Sequence, residues 1–421
     1  MSNRSTPYAL LDAILANEAT WQTSFLQRLV QTPSDNPPGD CAPIARVAAE
    51  MLTALGWTVE QHEVPADLVR ANGMRSAINL IVRRSFGSGG PVIAMNAHGD
   101  VVPPGDGWRH EPYGGDIEED AEHGPCLYGR GAAVSKSDFA TYAWALLALE
   151  RLAAQDVRLN GTVELHFTFD EEAGGDIGPR WLLAEGLSKP DYAISAGFSY
   201  AVVVAHNGCL HLEVTVRGKQ AHAAMPDTGV DALQASTHML QALYAFRETL
   251  ARRASSVPGI SHPTLNVGLI QGGINTNVVP DKVSFRLDRR IVPEETGQDV
   301  EGELRELIAQ AAAACPGIAV DVQRIMHARA LAQLPGTREL VAPLQRHAGE
   351  IFGTEIAEVG SPLYTDARHY AEFGVPTVLY GAGPRTLAEA RGHNSDENIR
   401  LRDLQGATQV IARTLHDLLA R

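Results

Sequence analysis

Strand-like and helix-like hydrophobic patterns alternate along the first half of the chain. Met1 to Val30 has the spacing of an amphipathic helix, and Ala42 to Leu55 that of a second helix ending at Gly56. Trp57 to Val64 alternates apolar and polar positions, which predicts a strand with one buried face. Ala77 to Val82 and Pro91 to Ala97 are apolar runs of strand length. Asp138 to Ala153 predicts a strongly apolar helix, and Gly161 to Phe169 a buried strand. Strands alternating with helices predict an α/β domain built on a mainly parallel sheet.

The pattern changes around Cys209. Leu210 to Arg217 alternates cleanly, as a half-solvated strand does. Asp231 to Ala251 is a long helix, Thr264 to Gln271 and Lys282 to Asp288 are strands, Gln298 to Ala314 is a helix and Ile318 to Ile325 a last strand. That order predicts a ferredoxin-like α+β module. The α/β pattern returns after Ala332, so the module is inserted. The expected division is residues 1–208 with 327–421 for the larger domain and 209–326 for the insert.

The 421 residues suffice for two domains with cores of their own. The apolar share of 44% and charged share of 20% are those of a globular protein, with no run long enough to span a bilayer. A formal net charge of -15 argues against nucleic acid or an anionic membrane as partner. Met1 to Val30 lacks the basic start and continuous apolar core of a signal peptide. Cys41, Cys126, Cys209 and Cys315 show no CxxC spacing, so reduced thiols in a cytoplasmic protein are expected.

Candidate chemistry sits where strands end. His98 and Asp100 follow the Pro91–Ala97 run, and the carboxyl ends of strands are where α/β sheets bind ligands. A His-x-Asp pair there can be an imidazole metal ligand with a carboxylate fixing its tautomer. Alone the pair is weak, and an ordinary loop histidine is the commoner source. Asp170, Glu171 and Glu172 follow the next strand; a cation, or a role needing a raised pKa, explains such crowding, as does a solvated acidic loop. His222 lies in a turn after the first strand of the insert, where an imidazole can donate to an oxyanion or simply face solvent. His393 follows the Gly381-Ala382-Gly383-Pro384 loop, whose backbone, Gly383 above all, can clamp a carboxylate or merely turn the chain.

Order and spacing join these pieces. His98-Gly99-Asp100-Val101-Val102-Pro103, Gly107-Trp108, Pro112-Tyr113-Gly114 and Tyr128-Gly129-Arg130-Gly131 come first. Asp170-Glu171-Glu172, the His222 turn, Gly272-Gly273-Ile274-Asn275-Thr276-Asn277-Val278-Val279-Pro280 and Asp288-Arg289-Arg290 follow. Thr365-Asp366-Ala367-Arg368 and the His393 loop close the set. The chain resembles the zinc metallopeptidase and deacylase family of acetylornithine deacetylase, succinyl-diaminopimelate desuccinylase, aminoacylase and glutamate carboxypeptidase. The resemblance implies a phosphorylase/hydrolase-like catalytic domain around two zinc ions and a lid domain through which the chain forms a homodimer. It implies His98 as ligand of one metal with Asp100 behind it, and Glu172 and His393 as ligands of the other. Glu171 would be the general base, His222 would reach into the partner subunit's active site to steady the tetrahedral intermediate, and Asn277 and Arg290 would hold the carboxylate or oxyanion of a small-molecule substrate.

Two positions depart from the family. Val134 stands where a bridging carboxylate is expected within Gly129 to Lys136, and Gly197 where a second carboxylate follows Pro190-Asp191-Tyr192. The expected cofactor is therefore a divalent metal, zinc, at one ion or none per chain rather than a pair, with Asp138 as the nearest substitute ligand. Three readings stay open: an amide hydrolase with a reduced or rebuilt metal site; a metal-independent isomerase or lyase using Glu171, Lys136, His98 and His222; and a non-catalytic small-molecule binder.

Overall fold

The computed structural model describes residues 6–420. Thr6 opens the first helix, its hydroxyl accepting the Ala9 N–H, and Pro7 takes the first helical position, where no amide partner is needed. In chain order the first unit begins with α1 (Pro7–Val30), α2 (Ala42–Ala54), β1 (Val59–Glu63), α3 (Ala66–Ala71), β2 (Ile78–Phe86) and β3 (Val92–His98). It continues with β4 (Ile117–Asp120), β5 (Gly124–Tyr128), α4 (Lys136–Ala153), β6 (Gly161–Thr168), α5 (Pro179–Ala184), β7 (Tyr192–Ser195) and β8 (Ala201–His206). The next segment holds β9 (Gly208–Arg217), α6 (Ala232–Leu250), β10 (Thr264–Gly272), β11 (Lys282–Ile291), α7 (Gly297–Ala313) and β12 (Ala319–Ala328). The chain closes with α8 (Arg338–Phe352), β13 (Ala357–Ser361), α9 (Ala367–Glu372), β14 (Thr377–Leu379), α10 (Leu387–Ala390), β15 (Asn398–Arg400) and α11 (Leu401–Leu419).

The large sheet runs β1-β2-β6-β3-β7-β14-β8-β13. Its centre is parallel: β6 with β3, β3 with β7, and β7 with β14. β1 and β2 extend it antiparallel on one side and β8 pairs antiparallel with β14 on the other. Helix α4 is buried on nearly every face from Lys136 to Leu149, packed against α1 and α11, which explains why its sequence is apolar all round. A small sheet, β15-β5-β4, pairs Asn398 with Tyr128. Sequence patterning gave no sign of it, because its strands are short and its partners distant.

The second unit comprises Ala205–Ala332 with Val359–Tyr364. It starts a few residues earlier and ends a few later than 209–326, and it recruits a short stretch of chain from beyond the insert. Its antiparallel sheet runs β10-β11-β9-β12, with α6 and α7 on one face. Leu210, Leu212, Val214 and Val216 alternate inward from β9 and pack with Met239 and Leu243 of α6 and Leu304 and Ile308 of α7. The sequential order strand, helix, strand, strand, helix, strand is that of the ferredoxin-like module.

Candidate active site

Register brings the first two motifs together. β3 and β6 are parallel neighbours with His98 opposite Thr168, so the His98 and Glu171 segments leave the sheet side by side. β6 ends at Thr168, and two residues on, Asp170 leads into Glu171–Ala173, which form a single 3-10 turn.

Asp100 ties the two segments. Its carboxylate is fully buried and accepts the main-chain N–H groups of Glu171 and Glu172, each at 3.1 Å, and the Asn36 side-chain amide at 2.9 Å. The same carboxylate lies 3.4 Å from His98 Nδ1, which also meets the Asp100 carbonyl at 3.0 Å. With Nδ1 engaged, Nε2 is the ring nitrogen left to face the cluster. Ser135 pins the His98 backbone, its hydroxyl bonding both the N–H and the carbonyl at 3.1 Å.

Ligand atoms of His98, Glu171 and Glu172 lie within 4.8 Å of one another. His393 Nε2 sits 3.2 Å from Glu172 Oε1, an ion-pair contact, and His393 adopts a left-handed backbone with φ 62°. Glu172 Oε1 is buried and makes no hydrogen bond of good geometry. Burial pushes the Glu171 carboxyl up to about 7, against the pull of His98. Burial also pulls the His98 imidazole down, but the Asp100 hydrogen bond and the surrounding carboxylates outweigh it and hold the ring well above its ordinary value. The Glu172 contact raises His393.

The two departures have structural consequences. Val134 presents no donor atom from its side chain, yet its N–H and that of Ala133 both donate to Glu397 Oε1 at 3.0 Å. Glu397 is fully buried, with Arg130 on its other oxygen at 2.6 Å. At Gly197 a Cβ would lie 2.7 Å from Tyr380 N and 2.8 Å from the Leu379 carbonyl carbon, so the backbone has closed over the space of a side chain.

Asp138 is buried beside this closure. Its Oδ1 accepts the Ala382 N–H at 2.7 Å, and the Gly197 N–H also donates to the carboxylate. Burial pushes it up to about 7. Asp138 thus clasps the Gly197 and Ala382 loops, and it is not among the residues whose ligand atoms group with His98. Gly383 is tied into the same loops: its N–H donates to the Gly197 carbonyl and its own carbonyl accepts the Ser199 N–H, both at 2.9 Å. Lys136 is likewise committed, its buried ammonium donating to the Leu29 carbonyl at 3.0 Å and the Thr32 carbonyl at 3.0 Å.

Asp366 acquires a place that its motif alone did not assign. It is buried, and burial followed by the nearby Glu171 charge pushes it up to about 8. Gly175 makes room for it: with φ 70° it has no Cβ to strike Asp366 Oδ1.

His222, Asn277 and Arg290 belong to the second unit. His222 pairs with Val278 in an isolated bridge and Ala223 N–H donates to the Asn277 carbonyl at 3.0 Å, so His222 and Asn277 are neighbours and both are exposed. His222 Nδ1 accepts the Ala224 N–H at 3.0 Å, which leaves Nε2 to carry the proton of the neutral ring. Arg290 stands on β11, its Nε 3.1 Å from Asp288 and its guanidinium over the Tyr364 ring.

The family model described as Peptidase family M20/M25/M40 matches residues 94–417. The chain belongs to that family. Succinyl-diaminopimelate desuccinylase of Acidiphilium cryptum is 31% identical over 304 residues, 70% of this chain and 73% of the relative. Acetylornithine deacetylase of Salmonella arizonae is 28% identical over 387 residues, 89% of this chain and 90% of the relative. An M20-family metallo-carboxypeptidase from Sulfolobus solfataricus superposes with a TM-score of 0.72 at 17% identity, covering 95% of this chain and 98% of that one, a likeness of fold. This M20-family chain is thus a hydrolase of the peptidase and deacylase type on the two-unit architecture of its relatives.

Proposed function

We propose that the chain hydrolyses an amide bond in a small N-acyl or peptide-like substrate bearing a carboxylate, with one divalent ion, zinc, per active site. The observation that carries this is the grouping of His98, Glu171 and Glu172 with His393 on Glu172 Oε1, a buried oxygen otherwise without a hydrogen bond. His98, Glu172 and His393 would hold the ion, two imidazoles and a carboxylate being a zinc donor set. They suffice for one ion. A pair needs anionic ligands between the ions, and neither Val134 nor the closed backbone at Gly197 supplies one. A divalent ion there polarises a carbonyl and lowers the pKa of water.

The side chains do the rest. Asp100 fixes the His98 tautomer and the positions of Glu171 and Glu172. Glu171 takes a proton from the attacking water and passes it to the leaving amine. By family likeness His222 would donate from Nε2 to the oxyanion in the partner subunit's active site, and Asn277 and Arg290 would bind the substrate carboxylate. Family likeness supports a homodimer through the second unit and a cytoplasmic location; among the described residues no helix is long and apolar enough to cross a membrane.

The experiment is a panel of N-acyl amino acids and dipeptides incubated with protein loaded with zinc, manganese or cobalt. Release of free amine that chelation abolishes and metal restores is the expected result. Turnover indifferent to chelation would instead favour metal-free acid–base chemistry.

A further inference from the structure

We propose a second metal site, for one zinc-type divalent ion, in the second unit, with Cys209, His211 and Asp288 as ligands. Its three ligands take no part in the proposed hydrolysis, although Arg290, assigned there to the substrate carboxylate, lies beside Asp288.

The geometry follows from strand register. Cys209 and His211 are two residues apart on β9 and therefore project from the same face, while Leu210 and Leu212 point to the opposite face and the helices. Asp288 of β11 is paired directly with His211, and Arg290 with Cys209. Three different donors thus meet on one patch: Cys209 Sγ lies 3.2 Å from His211 Nε2 and 3.6 Å from Asp288 Oδ1, and His211 Nε2 lies 3.2 Å from Asp288 Oδ2. Donors around a tetrahedral zinc at its usual bond lengths stand about 3.3–3.7 Å apart. His211 Nε2 already stands near that distance from both the thiol and Asp288 Oδ2, and all three ligand atoms lie within 4.8 Å of one another.

A cysteine, histidine and aspartate can also form a nucleophilic relay, but that needs the two ring nitrogens to face different partners. Here one nitrogen, Nε2, faces both the thiol and the carboxylate. Convergence of three donors on one point is the arrangement of a metal cage. Cys209 is fully buried and His211 half-buried, so the soft ligand is inside and an edge faces outward for a fourth. Asp288 Oδ2, which faces His211 Nε2, would ligate, while Arg290 Nε at 3.1 Å would hold Oδ1, the oxygen that the Cys209 thiol now faces, as outer hydrogen bonds do in metal sites. Binding releases the thiol proton to solvent, and the thiolate and carboxylate together balance the two charges of the ion. The mixed sulfur, nitrogen and oxygen set selects zinc over magnesium or calcium.

Cobalt titrated into the full chain tests this, because a thiolate ligand gives a charge-transfer absorption in the near ultraviolet. No cysteine belongs to the His98 cluster, so the band is blind to the hydrolase site. The expected band saturates at one cobalt per chain, is displaced by zinc, and disappears in Cys209→Ser with an unchanged circular dichroism spectrum. Asp288→Asn and His211→Gln keep the thiol and are expected to raise the cobalt Kd by about tenfold or more. Absence of the band in the parent protein, its survival in Cys209→Ser, or its loss in Cys41→Ser instead would overturn the proposal. Should Cys209→Ser not fold, an unchanged Kd in the other two variants would overturn it.

Discussion

The Glu397 carboxylate accepts the main-chain N–H of Val134 at 3.0 Å. The segment in which the family resemblance leads one to expect a bridging carboxylate is therefore held through its backbone, by a bond that does not involve the side chain at 134. Ser135, next in the chain, bonds both backbone groups of His98. Replacing Val134 with Asp places a new donor beside this clamp. Zinc is expected to raise the melting temperature of V134D more than that of the parent. An equal rise in both would separate position 134 from the metal.

Glu171 is the group to which the proposed chemistry assigns proton transfer. Glu171→Gln preserves shape and removes the base. Its kcat on the best substrate of the panel should fall by about 10²–10⁴-fold. Zinc content should stay at the parental level, since His98, Glu172 and His393 are intact. A parental kcat would transfer the role elsewhere.

Asp100 acts through others. Its carboxylate receives Glu171 N–H, Glu172 N–H and Asn36, and faces His98 Nδ1. Asp100→Ala should weaken zinc binding by about 10–100-fold. Competition with a coloured chelator measures this directly, and an unchanged affinity would show that His98 holds its orientation without help.

Much of the frame was legible from period and length alone. Asp231 to Ala251 was expected as a helix and runs Ala232–Leu250; Gly161 to Phe169 was expected as a strand and runs Gly161–Thr168. Both are long and strongly patterned, so local physics decides them. The site was legible as motifs but not as partners. Asp138 lies one turn past Val134, but its hydrogen bonds from Ala382 and Gly197 come from far along the chain. The bonds of the Gly383 backbone to Gly197 and Ser199 are equally beyond any local pattern. The Cys209, His211 and Asp288 meeting depends on register between β9 and β11, which no local pattern reveals.

Acid stability gives a test away from the chemistry. Glu164 is nearly buried on β6. Burial pushes its carboxyl up, but the His166 contact at 3.0 Å, the Ser188 hydroxyl and Arg83 at 2.8 Å outweigh this and hold it at about 2, below the ordinary 4.5. A carboxyl depressed on folding stabilises above its unfolded pKa, and that contribution is lost as pH falls from about 5 towards 2. It amounts to about 3 kcal/mol. Denaturant unfolding of Glu164→Gln should therefore show a lower stability at pH 7 and a shallower loss between pH 5 and 2 than the parent. Parallel pH profiles would contradict the assignment.

The most direct measurement is the zinc content of Cys209→Ser protein, which lacks the thiolate site, purified without added metal or chelator and compared with Cys209→Ser/His393→Ala. One ion per chain, falling to near zero when His393 is removed, is the predicted result. Two ions per chain, or one that survives the loss of His393, would contradict a single-ion hydrolase built on His98, Glu172 and His393.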